Sequence, residues 1–299
     1  MATDSTANHT MEPVSVRAPA KINLFLHVTG KRADGYHEIA SLAVFTSFGD
    51  TVAISPALAG DGIQFYTDGP FAGHMGPDSD NLVLQAARLL VKTCNPVAQD
   101  VAIHLTKRLP VAAGIGGGSS DAAAALRGLD RYWGLDLPES QLMELGLELG
   151  ADVPMCLARE PVLVNGIGDV LKPAPAMPWV SLVLVNPLVA VPTPTVFKAR
   201  TGEFSAPMLD MSEPETVQDL VEQLLARHND LSEAAISLAP QISDVLEAMN
   251  EQDACLLARM SGSGATCFGL FADSHEASLA KKALHQSHPA WWVESMSLF

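Results

Sequence analysis

The chain has 299 residues, 48% of them hydrophobic, and a formal charge of −16. That length holds one large domain or two ordinary ones, and the composition excludes a disordered chain. The charge argues against nucleic-acid binding, which calls for a basic face, and no apolar run approaches the ~18 residues of a membrane span.

Residues 1–13 are polar and lack the basic and apolar stretches of a signal peptide, so they read as a disordered tail. Cys94, Cys156, Cys255 and Cys267 are scattered without a C-x-x-C pair. This predicts free thiols, no zinc site and a cytoplasmic setting. Val14 to Val28 reads as two strand segments around Pro19. Leu42 to Phe48 and Thr51 to Ser55 read as strands split by a Gly49-Asp50 turn. Asn81 to Thr93 is predicted helical, and Val101 to Leu105 alternates as a strand does. A helix is predicted from Asp121 to Trp133 with Ser119 or Ser120 as N-cap, and another after an Asp136 N-cap, running to Gly150. Ala151 to Leu157 reads as a turn entering a strand, and Val162–Val164 and Val180–Val185 as buried strands. The proline-rich stretch Lys172 to Pro178 suits a connection between domains. Helices near Glu213–Arg227, Leu231–Ile236 and Ala239–Asn250 come next, then a strand after Ser261–Gly264 and a helix over Glu276–His285. The elements lack a regular βαβ rhythm, which predicts an α+β fold.

The most informative segment is Leu109 to Asp121, with four glycines within five positions followed by two serines. Glycines let backbone N–H groups converge, and a helix start adds its unpaired N–H groups and dipole, which together cradle an anion such as phosphate. No lysine follows the glycines, so this is not a P-loop, and Ser119 replaces the third glycine of the dinucleotide fingerprint. Lys21 and Asn23 share one face of a strand. Asp34-Gly35 marks a turn that places Tyr36 and His37 at a loop tip, either to stack on and hydrogen-bond a nucleobase or as an ordinary hairpin end. Asp152, between a helix end and an apolar run, is a general-base candidate if a lysine is near, or else a cap for turn amides.

Pro19-Ala20-Lys21-Ile22-Asn23-Leu24, then Pro110 to Ser120, then Gly262-Ser263-Gly264-Ala265 occur in the order found in the GHMP kinase superfamily. The chain resembles that superfamily from about Val14 to the C-terminus. Gly30 to Glu38, Leu149 to Pro154 and Val191 to Pro194 resemble the branch whose acceptor is a cytidine diphosphate-linked methylerythritol. The resemblance implies a two-domain α+β fold. Residues 14–165 would form an N-terminal domain like ribosomal protein S5 domain 2, and 166–299 a ferredoxin-like C-terminal domain, with the site in the cleft between them. It implies phosphorylation of the acceptor's 2-hydroxyl with ATP and Mg²⁺, a small-molecule acceptor, and neither a nucleic-acid, a membrane nor an obligate protein partner.

Residue by residue, Pro110, Val111, Ala112, Ala113, Gly114, Ile115, Gly116, Gly117, Gly118, Ser119 and Ser120 match the family's ATP-phosphate loop. Lys107 matches a lysine near the nucleotide base. Lys21 and Asp152 match the catalytic pair. Asn23, Tyr36, His37, Thr193 and Phe197 match the acceptor side, and Ser120 is a candidate Mg²⁺ ligand by analogy. Two positions depart from the family pattern. Ala43 stands where an aromatic often sandwiches cytosine, which implies weaker stacking. Asp121 stands where asparagine is common, adding a carboxylate near the phosphates that would repel them or help to hold Mg²⁺. A homoserine kinase-like enzyme and a non-catalytic nucleotide-binding protein are the alternatives on this fold.

Overall fold

The computed structural model describes residues 12–96 and 100–298. The tail expected over 1–13 therefore lies, up to residue 11, outside the described residues.

Two long strands, β1 (Val14–Lys31) and β2 (His37–Pro56), form an antiparallel hairpin. Both run unbroken where the sequence predicts interruptions. The expected Gly49-Asp50 turn is absent because Gly49 packs against the β1 backbone, where an added Cβ would lie 2.1 Å from the Ala18 carbonyl oxygen. The Asp50 side chain is drawn inward and fully buried. Strand β4 (Val101–Thr106) pairs antiparallel with the far half of β2, and β3 (Ile63–Asp68), unpredicted, pairs parallel with β4. The hairpin β5 (Val162–Asn165) and β6 (Val170–Pro173) extends the sheet beyond the near half of β2. The expected division after residue 165 thus falls inside a hairpin, and the first sheet continues to Pro173.

Helices α1 (Leu82–Cys94), α2 (Gly117–Trp133), α3 (Glu139–Leu149) and α4 (Val153–Ala158) join this sheet around one core. Asn81, the first residue of the predicted helix, is instead the cap of α1: its side chain accepts from the Val83 N–H at 2.9 Å, and the helix starts one residue later. Helix α2 begins two to three residues before the expected serine caps, so Ser119 and Ser120 lie in its first turn behind Gly116, whose φ is +63°. Asp136 does not cap α3: it adopts a left-handed φ of +49°, and α3 starts after Pro138. The run after Asp152 is helix α4, not a strand. A short apolar run does not distinguish the two, and Pro154 in the first turn suits a helix.

The second sheet orders β10 (Trp292–Ser297), β7 (Ser181–Asn186), β9 (Cys267–Phe271) and β8 (Leu257–Met260), all antiparallel. Helices α5 (Thr193–Ala199), α6 (Val217–Leu225), α7 (Ser232–Leu238), α8 (Gln241–Asn250) and α9 (Ser274–Ser287) accompany it. Helix α5 and strand β10 were not predicted from the sequence.

Three apolar clusters result, and β1 enters all of them. Val16 and Ala18 join α1–α4; Ala20, Ile22 and Leu24 meet Leu182, Leu184, Phe268 and Leu270 of the second sheet; Leu26 and Val28 pack with α7 and α8. Irregularities between Pro19 and Lys21, Asn23 and Phe25, and Val28 and Gly30 shift the β1 register, and such bulges re-aim the side chains that follow. Lys21 and Asn23 sit between these shifts.

Candidate active site

A cleft of about 1150 Å³ is lined by β1, the loop before α2, the start of α4, α5 and the turn before β9. It exceeds the usual range of ~300–1,000 Å³ for one small-molecule site, leaving room for two ligands.

Its floor is built from backbone. The Lys21 N–H donates to the Ile115 carbonyl at 2.9 Å, and the Thr266 N–H to the Ala113 carbonyl at 3.2 Å. The Asn23 N–H donates to Ser261 Oγ at 3.1 Å, and that hydroxyl donates to the Gly114 carbonyl at 3.2 Å. Strand β1, the glycine loop and the Ser261–Gly264 turn are thus one hydrogen-bonded unit. Gly114 (φ +73°) and Gly262 (φ +54°) meet there so closely that a Cβ on either would lie within 2.7 Å of a backbone oxygen. Asn229 holds the turn from behind, its side-chain amide donating to the Met260 and Gly262 carbonyls.

Lys21 is almost fully buried. Its Nζ lies 3.2 Å from Asp152 Oδ2 and donates to Asn23 Oδ1 at 2.9 Å. Asn23 Nδ2 donates to Ser41 Oγ at 2.7 Å, and Ser41 donates to the Phe25 carbonyl at 2.5 Å. The chain from Ser41 to Asp152 leaves Lys21 one orientation. Asp152 precedes α4 but its side chain caps no amide; 41% exposed, it faces the cleft. The structure therefore brings Lys21, Asn23 and Asp152 together.

On the opposite wall His37 and Phe197 stack with ring centroids 5.0 Å apart. Burial, then the nearby charges of Lys31 and Arg200, hold the His37 pKa below its ordinary value, which favours the neutral ring. Tyr36 is exposed beside it, and Thr193 Oγ1 lies 2.7 Å from Ser263 Oγ. Ala43 belongs elsewhere: it is fully buried in β2, paired with Asn23 and Val162, and packs in the first core. The cleft's aromatic lining comes from Tyr36, Phe197 and Phe204, with the His37 ring stacked on Phe197.

Lys107 and Asp121 meet beneath the glycine loop. Lys107 Nζ is buried between Asp50 Oδ2 at 2.5 Å and Asp121 Oδ2 at 2.6 Å, so its ammonium is already engaged by two carboxylates. Burial opposes that charge, but Asp121 and Asp50 outweigh it and hold the Lys107 pKa above its ordinary value. Burial raises the Asp121 pKa to about 7 against the pull of Lys107. Asp121 is thus a partner of Lys107 in the lining of the cleft, with its Oδ1 buried and without a hydrogen-bond partner. Ser120 Oγ is buried with no hydrogen-bond partner.

Sequence reasoning missed Ser41, Asp50, Asn229 and Ser261. A serine inside a strand carries no local signal, and Gly49-Asp50 has the signature of a turn.

Residues 81–160 match the family model of the GHMP kinases N terminal domain, and 215–290 that of the GHMP kinases C terminal. The chain is 52% identical to the 4-diphosphocytidyl-2-C-methyl-D-erythritol kinase of Paramagnetospirillum magneticum, over 96% of this chain and 99% of that one. It belongs to the 4-diphosphocytidyl-2-C-methyl-D-erythritol kinase family. Another family member, from Rhodospirillum rubrum, is 49% identical over 93% of this chain and 90% of its own. A crystal structure of a 4-(cytidine 5'-diphospho)-2C-methyl-D-erythritol kinase superposes with a TM-score of 0.77 at 33% identity, covering 95% of this chain and 99% of that one. A homoserine kinase from Cytophaga hutchinsonii superposes with a TM-score of 0.74 at 18% identity, covering 96% of this chain and 95% of that one, a likeness of fold alone. The two-domain α+β fold expected from the sequence is the fold of this family.

Proposed function

We propose that the protein transfers the γ-phosphoryl group of ATP to the 2-hydroxyl of 4-diphosphocytidyl-2-C-methyl-D-erythritol. The observation that carries this reading is the Lys21–Asp152 pair at 3.2 Å, set in one cleft between a glycine-rich anion cradle and an aromatic wall. The family membership supplies the acceptor.

In this reading Pro110 to Ser120 bind the ATP phosphates through backbone N–H groups and the N-terminus of α2. Lys107 supports that loop from beneath, and no step is assigned to it. His37, Tyr36 and Phe197 hold the cytosine, and Thr193 lies on the same side. Asn23 and Lys21 orient the acceptor. Asp152 accepts the proton of the 2-hydroxyl as its oxygen bonds to the γ-phosphorus, and the bond to the β-phosphate bridging oxygen breaks to release ADP. Lys21 stabilises charge on the transferring group. A tertiary alcohol is hindered, so positioning by Asn23 and Lys21 matters as much as base strength.

The residues fit a Mg²⁺ ion. Ser120 Oγ, buried and unpartnered beside the cradle, is an oxygen donor of the kind Mg²⁺ takes, with phosphates and water completing its shell. Among the described residues no cluster of three acidic, histidine or cysteine side chains would hold a metal by itself. Mg²⁺ would supply neutralisation of phosphate charge.

The test is ADP release by purified protein with ATP and Mg²⁺, comparing 4-diphosphocytidyl-2-C-methyl-D-erythritol with homoserine and mevalonate. Turnover confined to the cytidine-bearing acceptor is expected. Turnover with homoserine alone would overturn the assignment.

A further inference from the structure

Beneath the glycine loop lies a buried ion cluster that the phosphoryl transfer does not use. Asp50 Oδ1 accepts from the backbone N–H groups of Arg108 at 2.5 Å and Leu109 at 2.8 Å, the two residues ahead of Pro110. Its Oδ2 holds Lys107 Nζ, and the same ammonium holds Asp121 in α2. The cluster joins the strand side of the loop to its helix side. It also sets the loop's height: an added Cβ on Gly117 would lie 3.2 Å from Lys107 Nζ and 3.8 Å from Asp50 Oδ2. The first turn of α2 rests on these charges. Asp50, Lys107 and Asp121 are each at most 3% exposed; Lys107 and Asp121 belong to the lining of the cleft, and Asp50 does not.

We infer that Asp50 is a positioning residue for ATP, acting through Lys107 and two backbone amides to fix both ends of the glycine loop so that its N–H groups converge on the phosphates. The inference rests on the reading of that loop as the ATP cradle. Removing the Asp50 carboxylate frees two loop amides and one ammonium together. The stacked His37 and Phe197 of the acceptor wall share no hydrogen bond with this cluster.

The experiment measures ATP binding by calorimetry and steady-state kinetics in both substrates for wild type, Asp50→Ala and Asp50→Asn, with melting curves for each. Asp50→Asn keeps an oxygen acceptor for the two amides and leaves Lys107 paired with Asp121, so it guards against loss of folding in Asp50→Ala. ATP KM and Kd are expected to rise about 10–100-fold, the range carried by a buried charged hydrogen bond. The acceptor KM is expected to stay within about two-fold, since uniform loss of ATP binding leaves the acceptor site intact. Folded variants that bind ATP as wild type does, with only a lowered Tm, would reduce the cluster to a structural element and overturn the assignment. Equal rises in both KM values would overturn it too. Wild-type protein that binds no ATP would overturn the cradle reading itself, an outcome separable from the other two.

Discussion

Asp152 owes its availability to what it does not do. It stands at the start of a helix, where an aspartate usually caps an amide, yet its carboxylate turns to Lys21 and the cleft. General-base catalysis is worth ~10²–10⁴-fold, so Asp152→Asn should lower kcat by about that factor with little change in the KM for ATP. Its Tm should fall only modestly, because Asp152 is 41% exposed and the asparagine oxygen can still meet the buried Lys21 ammonium. A variant near full rate would remove Asp152 from the mechanism. Gly114 makes the opposite kind of prediction. With φ at +73° and the Ser261 and Gly264 backbone oxygens within 2.7 Å of any added Cβ, Gly114→Ala must push the loop and the turn apart. Strain and lost contacts of this kind cost ~1–3 kcal/mol, readable as a lower denaturation midpoint, and ATP affinity should fall with it.

At the scale of elements, Asn229 ties α7 to the turn before β9 through two carbonyls. Asn229→Ala leaves both buried and unpaired, at ~1–3 kcal/mol each, so chemical denaturation should show a lower midpoint at unchanged m-value. The sequence made some elements legible and hid others for physical reasons. Helix α1 was readable because Asn81 is an N-cap of ordinary type ahead of a periodic apolar face. Helix α4 was not, since Val153 to Leu157 is apolar at every position, and a run buried on all sides carries no period. The glycine loop and the Lys21, Asn23 and Asp152 positions were legible from residue chemistry plus family resemblance. Ser41, Ser261 and Asp50 were not, because each acts on a segment 16 to 238 residues away. Lys107 was legible as a lysine that mattered, but its two carboxylate partners come from β2 and α2, and only the fold brings them together.

For the whole molecule, one pH-dependent contribution to stability should come from His27. It is fully buried where β1 meets the segment 205–230, with Nδ1 3.1 Å from the Ala206 carbonyl and its ring tilted against His228. Burial is the main cause that lowers its pKa below 6.5; the Ala206 carbonyl and Asp230 oppose this, and His228 and Arg227 reinforce it. The unfolded chain then binds a proton at a higher pH than the folded one does, so this contribution is full above pH 6.5 and is lost as the medium is acidified below that value. Thermal denaturation should show Tm falling below that pH, and His27→Gln should flatten that limb.

The passage of β1 through all three apolar clusters has a consequence for how the protein comes apart. A strand that supplies Val16 to one core, Ile22 to the second and Leu26 to the third cannot leave one without unseating the others. The two sheets should therefore melt together, in a single calorimetric transition whose van't Hoff and measured enthalpies agree. Severing the chain between Pro173 and Ala174 should give fragments that acquire structure only when produced in the same cell. Two well-separated heat-absorption peaks would show instead that each half keeps its own cooperativity.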